Sequence, residues 1–162
     1  MKKISIEIKW SLFFIAMMLL WMWLEKILGF HGANIENHAI VTNFVAIPAI
    51  LIFVLALRDK RINYYSGYMN YIQGFVSGMI ITSIVTLITP ITQYITSEII
   101  TPEYFPNIIN YTVEQGEMTR EAAEKYFNLN NYMIQATIGA FVMGTITTAI
   151  VAIFTMKRNK TA

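Results

Sequence analysis

The chain has 162 residues and a net charge of +2, with 56% of its residues hydrophobic and only 14% charged. A soluble domain of one-domain length carries about 25% charged residues. This composition therefore excludes an ordinary water-soluble globule, whose surface it could not cover. The absence of cysteine excludes disulfides, thiol catalysis and thiolate metal sites.

Four long stretches are almost free of Asp, Glu, Lys and Arg. They predict membrane spans at about 10–28, 40–57, 73–96 and 132–156, each near the ~20 residues a helix needs to cross the hydrocarbon layer. Closed barrels would alternate over about 10 residues, whereas these runs are apolar throughout. The expected fold is an all-α membrane protein: one four-helix domain over 1–162, with an external helical insert at 97–131. The first span has basic residues in front of it (Lys2, Lys3, Lys9). Its apolar core is too long for a cleaved signal, and bulky Trp21, Trp23 and Leu24 fill the place where small residues would permit cleavage.

Within the first span, Glu25 and Lys26 interrupt the apolar run about one turn from its outer end. The short loop that follows, Gly29 to Ala39, carries His31 and His38, close to Glu36 and within reach of Glu25. Two imidazoles and a carboxylate are a possible zinc set. With only two histidines in the chain and no strong spacing motif, the expectation is no metal and no cofactor, His31 and His38 being weak candidates. Span 2 contains Asn43 near its outer end and Pro48, a predicted kink. The loop from Arg58 to Asn70 is basic and rich in tyrosine (Tyr64, Tyr65, Tyr68), which reads as a topology signal with interfacial anchors.

Span 3 carries Gly74, Gly78, Thr82 and Thr86 at every fourth position, a smooth stripe suited to close helix packing in lipid. A second kink is expected at Pro90, with Thr86 and Thr89 placed to help satisfy the freed carbonyls. Gln93 lies near the outer end. In the insert, Thr101-Pro102-Glu103 is a helix start, with Pro106 disturbing the first turns. Gly116 is a stop, and Thr119-Arg120-Glu121 starts a second helix with Ala122, Ala123, Tyr126 and Phe127 on one face. This predicts a helical hairpin on the extracytoplasmic side between spans 3 and 4. Span 4 repeats the small-residue stripe with Ala136, Ala140, Gly144, Thr148 and Ala152, and places Gln135 near its outer end. The two stripes are expected to meet each other, or one of them to form a homodimer seam.

Orientation follows from Lys and Arg. Lys2, Lys3, Lys9, Arg58, Lys60, Arg61, Lys157, Arg158 and Lys160 fall at one end, against Lys26, Arg120 and Lys125 at the other. The positive-inside rule places the first set, and both termini, in the cytoplasm. All four spans then set one polar side chain about 4–6 Å below the outer boundary, at 1.5 Å per residue. Glu25, Asn43, Gln93 and Gln135 are thus a candidate ring, acting as interhelical glue or as a shallow ligand site. No nucleophile elbow, phosphate-cradling loop or paired carboxylate is visible, so no catalytic residue is assigned and no enzyme is expected. The basic residues are spread along flanks, which does not imply nucleic acid.

The segments LWMWLEKIL (20–28), HAIVTNFVAIPAILIFVLAL (38–57), QGFVSGMIITSIVTLITPITQY (73–94), and PEYF with EAAEKYFNLNNY within 101–132 resemble domain of unknown function 4199, a bacterial membrane family found mainly in Bacteroidota. The resemblance implies a multi-pass, four-helix protein of the bacterial inner membrane and brings no activity with it. The function expected is that of a non-enzymatic accessory or scaffold subunit of envelope machinery, with a membrane protein partner or a homodimer besides the bilayer. The alternative is a lipid or small-molecule carrier using the polar ring.

Overall fold

An apolar run with no water to bond its backbone satisfies its N–H and C=O groups internally, and each of the four runs is helical. The computed structural model describes residues 4–157. Lys2, Lys3, Arg158 and Lys160, used above for orientation, lie outside the described residues. Among the described residues, six helices follow in order: α1 Ser5–Ile27, α2 Ile35–Asn63, α3 Tyr71–Ile100, α4 Tyr104–Glu114, α5 Arg120–Tyr126 and α6 Leu129–Thr155. Those residues include no strand. Helices α1, α2, α3 and α6 are long and apolar enough to cross a membrane, with 23, 29, 30 and 27 residues. Their outward faces carry large apolar side chains, such as Leu12, Ile47, Leu87 and Phe154, exposed with no protein to cover them. That exposure, on helices long and apolar enough to cross a membrane, is consistent with a multi-pass membrane protein.

The helices run beyond the charge-free segments because their polar ends find partners. Helix α2 continues through Arg58 to Asn63, so only Tyr64 to Asn70 forms the connection where a loop from Arg58 was expected. Arg61 donates to the carbonyl of Thr155 (2.8 Å) at the C-terminus of α6, supplying a cation where the helix dipole favours one. The Met69 and Lys157 backbones exchange two hydrogen bonds (3.0 and 2.8 Å), tying the α2–α3 turn to the end of α6. Asn70 starts α3 with a capping box: its side chain accepts from the Gln73 N–H while Gln73 accepts from the Asn70 N–H.

Helical pitch changes shortly before Pro48 and about one turn after Pro90. The stretch just before Pro48, Thr42–Val45, tightens to a 3-10 helix, since Pro48 offers no N–H to the preceding turn. Helix α3 is α-helical through Pro90 to Tyr94 and ends in a π-helical turn, Ile95–Ile100. The Thr89 hydroxyl donates to Val85 O (2.9 Å), and Thr92 donates to Thr89 O (2.9 Å).

The α3–α6 pair is the tightest contact in the bundle. Built onto Gly78, a Cβ would lie 2.5 Å from Thr148 Cγ2; built onto Gly144, it would lie 2.6 Å from Thr82 Cγ2. At Gly74 it would meet Ala152 Cβ at 3.5 Å. The two threonine hydroxyls lie 3.3 Å apart. Small residues let the backbones close in, which is what association in lipid requires.

The filled core lies toward the end of the bundle that carries the described termini. Phe53, Ala56, Leu57, Met69, Ile81, Val85, Val151 and Ala152 form it. A buried polar triad sits at the same end. Lys60 Nζ lies 2.9 Å from Glu7 Oε1, and the Ser77 hydroxyl donates to the same oxygen at 2.7 Å. Lys60 also stands 3.8 Å from the centre of the Tyr64 ring.

At the far end, α4 and α5 form the hairpin. Gly116 takes the left-handed backbone (φ +71°) between them, and the Thr119 side chain caps α5 by accepting from the Ala122 N–H. Tyr104, Ile108 and Ile35 are buried together, flanked by Phe105, Tyr111, Phe127 and Tyr132. Of the face predicted for α5, Ala123 is buried and Phe127 half-buried, while Ala122 and Tyr126 are exposed.

Candidate functional site

Two features occupy the hairpin end of the bundle. The first is built around Glu25, in the last turn of α1. The chain turns at Gly29 (φ +79°), and the Phe30 N–H donates to the Glu25 carbonyl (3.0 Å). Asn34 completes the turn, its side chain donating to Leu28 O (2.9 Å). This fold-back lays His31 over Glu25, and the first turns of α2 bring His38 in beside it. His31 Nε2 is 3.1 Å and His38 Nε2 3.5 Å from the same oxygen, Glu25 Oε2. The other oxygen, Oε1, accepts from the Trp21 indole N–H. Glu25 and His31 are buried, and the His38 side chain is 17% exposed.

The roof of this cluster is Tyr104 on α4. Its ring stands 5.2 Å from His31 and 5.0 Å from His38. Its hydroxyl lies 3.4 Å from His38 Nδ1 and 3.3 Å from the Tyr132 hydroxyl. Burial holds the Tyr104 hydroxyl well above the ordinary tyrosine range. It therefore stays protonated and able to donate. Asn107, one turn further along α4, donates to the His31 carbonyl at 2.9 Å. Lys26 reaches the carbonyl of Ile100 and lies 3.6 Å from Glu103, so α1 also anchors the start of the hairpin.

The second feature is a cavity of about 500 Å³ lined by all four spans and partly open to the outside. It runs from Phe14, Phe53 and Thr82 near mid-bundle to Asn43, Gln93 and Thr96 near the hairpin end. Its walls are mostly apolar, with Met18, Met22, Val45 and Met143 among them. Its polar groups at the hairpin end come from α2 and α3: Thr42, Asn43, Thr89, Thr92, Gln93 and Thr96. The bundle is thus filled at one end and hollow at the other.

The structure separates the four residues of the candidate ring. Asn43 and Gln93 both line the cavity. Asn43 donates to Ala39 O of its own helix (2.6 Å), and Gln93 donates to the Ser97 hydroxyl (3.0 Å). Glu25 belongs to the histidine cluster, and Gln135 is exposed on α6. Glu36, placed near the histidines by its position in the loop, is exposed and accepts from its neighbour Asn37. Tyr104 carries no such signal in the sequence. It looks like one more apolar-face residue of an amphipathic helix, and only its seat over two imidazoles distinguishes it. The threonines at 89, 92 and 96 had a legible signal, since spacings of three and four residues put them on one face of α3.

No curated protein and no solved structure matches the chain. The sequence pattern of one family does match, over residues 9–157, covering all four spans and the hairpin. The chain belongs to that family, described as protein of unknown function DUF4199.

Proposed function

We propose that this is a multi-pass protein of the bacterial inner membrane that binds an amphiphile. The apolar chain enters the cavity, and the polar headgroup rests at the rim formed by Asn43, Thr89, Thr92, Gln93 and Thr96. The carrying observation is the contrast between the filled end and the hollow end of the bundle. Ligand pockets commonly enclose about 300–1,000 Å³ within apolar walls bearing a few polar groups, and this cavity fits that pattern. Thr89 and Thr92 donate their hydroxyl protons to their own helix. Their oxygens are left as acceptors, which favours a headgroup that donates hydrogen bonds. With the basic flanks in the cytoplasm, the cavity lies in the outer half of the bilayer, at the same end of the bundle as the hairpin.

The test uses native mass spectrometry after gentle detergent extraction. The wild-type chain should retain one amphiphile, and Gly139→Leu should lose it. Gly139 lines the cavity, and a Cβ there meets nothing within 4 Å, so the larger side chain fills the hollow without a clash. A chain that carries no lipid but a stoichiometric protein partner would overturn this reading in favour of an accessory or scaffold subunit. Lipid retained equally by both proteins would show that it is not in the cavity.

A further inference from the structure

The carboxylate and two imidazoles at the hairpin end form a second potential site, none of whose three residues lines the cavity. Three features of the cluster need explaining. Two imidazoles converge on a single carboxylate oxygen, Glu25 Oε2, at 3.1 and 3.5 Å. All three potential ligand atoms lie within 4.8 Å of one another. His31 is 4% exposed, and its Nδ1 is buried without a hydrogen-bond partner. Hydrogen bonding accounts for Glu25, through Trp21 and the two histidines, and for His38, through Glu25 and Tyr104, but not for His31 Nδ1. It leaves one buried ring nitrogen unsatisfied, a cost that native interiors seldom carry.

We propose that Glu25, His31 and His38 bind one divalent first-row transition ion, for which Zn²⁺ is the simplest occupant. The ligand chemistry is two imidazole nitrogens and one carboxylate oxygen, a set that zinc takes with a fourth position left open. Tetrahedral bonds of about 2.0–2.1 Å put ligand atoms roughly 3.3 Å apart. Two edges of the present triangle, at 3.1 and 3.5 Å, are already close to that, and the third is no longer than 4.8 Å. The surroundings match those that orient metal ligands. The Tyr104 hydroxyl faces Nδ1 of His38, and the Trp21 indole holds the second oxygen of Glu25. Such partners fix the direction of a ligand and tune its affinity. The partly exposed edge of His38 gives an ion its way in. Two nitrogen ligands out of three disfavour Mg²⁺ and Ca²⁺, which take oxygen.

The assignment does not depend on the amphiphile reading, because ion uptake and lipid retention are measured separately. The experiment uses the full chain in detergent, purified by a tag without histidine and washed with chelator. Co²⁺ is added first, with its ligand-field absorption as the readout, and Zn²⁺ second, with native mass spectrometry counting ions per chain. One Co²⁺ per chain is expected, displaced by Zn²⁺ and unaffected by excess Mg²⁺. Glu25→Gln and His38→Asn should each weaken binding more than about 100-fold. Tyr104→Phe should weaken it roughly 10–100-fold, as expected of an outer partner. Circular dichroism and a melting curve confirm that each variant is folded, and His31→Ala serves as the fourth variant if it passes that check. Absence of stoichiometric uptake by folded wild-type protein would overturn the assignment. So would uptake that Glu25→Gln and His38→Asn leave intact. Either result would make the cluster a hydrogen-bonded plug.

Discussion

Replacing Lys60 by methionine isolates the electrostatics of the filled end. At 2.9 Å, and with an effective dielectric of about 20, the attraction between Lys60 and Glu7 is roughly 6 kcal/mol before desolvation. Desolvation cancels most of it, so the intact pair adds little net stability. Breaking it is another matter: Glu7 is 1% exposed and would be left charged beside the Ser77 hydroxyl, without the ammonium that now faces it. Stranding one partner of a buried pair costs about 3–5 kcal/mol. At about 2–4 °C per kcal/mol for a chain of this size, the midpoint should fall by roughly 6–20 °C. The assay is thermal unfolding in a mild detergent, followed by circular dichroism. The double variant Glu7→Gln with Lys60→Met should recover most of the loss, because the new side-chain amide can still bond Ser77 and no charge remains. A loss below about 1 kcal/mol for Lys60→Met would refute the reasoning. Strict additivity in the double variant would refute it too.

Gly78→Ala should destabilise the bundle by about 1–3 kcal/mol in the same assay, since the new methyl overlaps Thr148 and the backbones must part. Gly74→Ala should cost far less, its closest contact being the mobile end of Met69 at 3.2 Å. Asn70→Ala removes the side-chain acceptor of the capping box on α3 while its backbone N–H can still donate to Gln73; it should cost about 1 kcal/mol, with faster amide exchange in the first turn of that helix. Single cysteines at Tyr65 and Gln115 should label from opposite faces of the membrane; labelling from one face would break the four-span arrangement. The chain has no cysteine of its own to confuse that readout.

Much of the architecture was legible because it is written in contiguous residues. A charge-free run of about 18 or more residues has few alternatives to a span, and Thr119 and Gly116 mark their helix boundaries locally. The opposed stripes are periodic, so their existence could be read directly, although their facing register needed coordinates. What stayed hidden depends on side chains that meet across the fold. Glu7 and Lys60 are separated by 53 positions, and each reads alone as a flank charge. His31 and His38 read as loop histidines with Glu36 or Glu25 as carboxylate neighbours, and only the turn at Gly29, which folds them back, decides for Glu25. The polar ring was drawn from depth alone. Depth says nothing about rotation around a helix axis, and rotation sends Gln135 outward and Glu25 toward the histidines.

The fit between α3 and α6 also fixes which parts of this bundle can move. Along the contact, large and small residues alternate: Gly78 receives Thr148, and Thr82 fits against Gly144. Sliding one helix by a turn in one direction sets Thr82 squarely against Thr148, two side chains in the room for one. Sliding it the other way leaves Gly78 opposite Gly144, with a void between them. Either displacement is uphill, so the pair behaves as a fixed rail. Any change in the width of the hollow end would therefore fall to α1 and α2, joined by the short segment that carries His31. An ion bound by Glu25, His31 and His38 would clasp those two helices together and hold the movable wall in place.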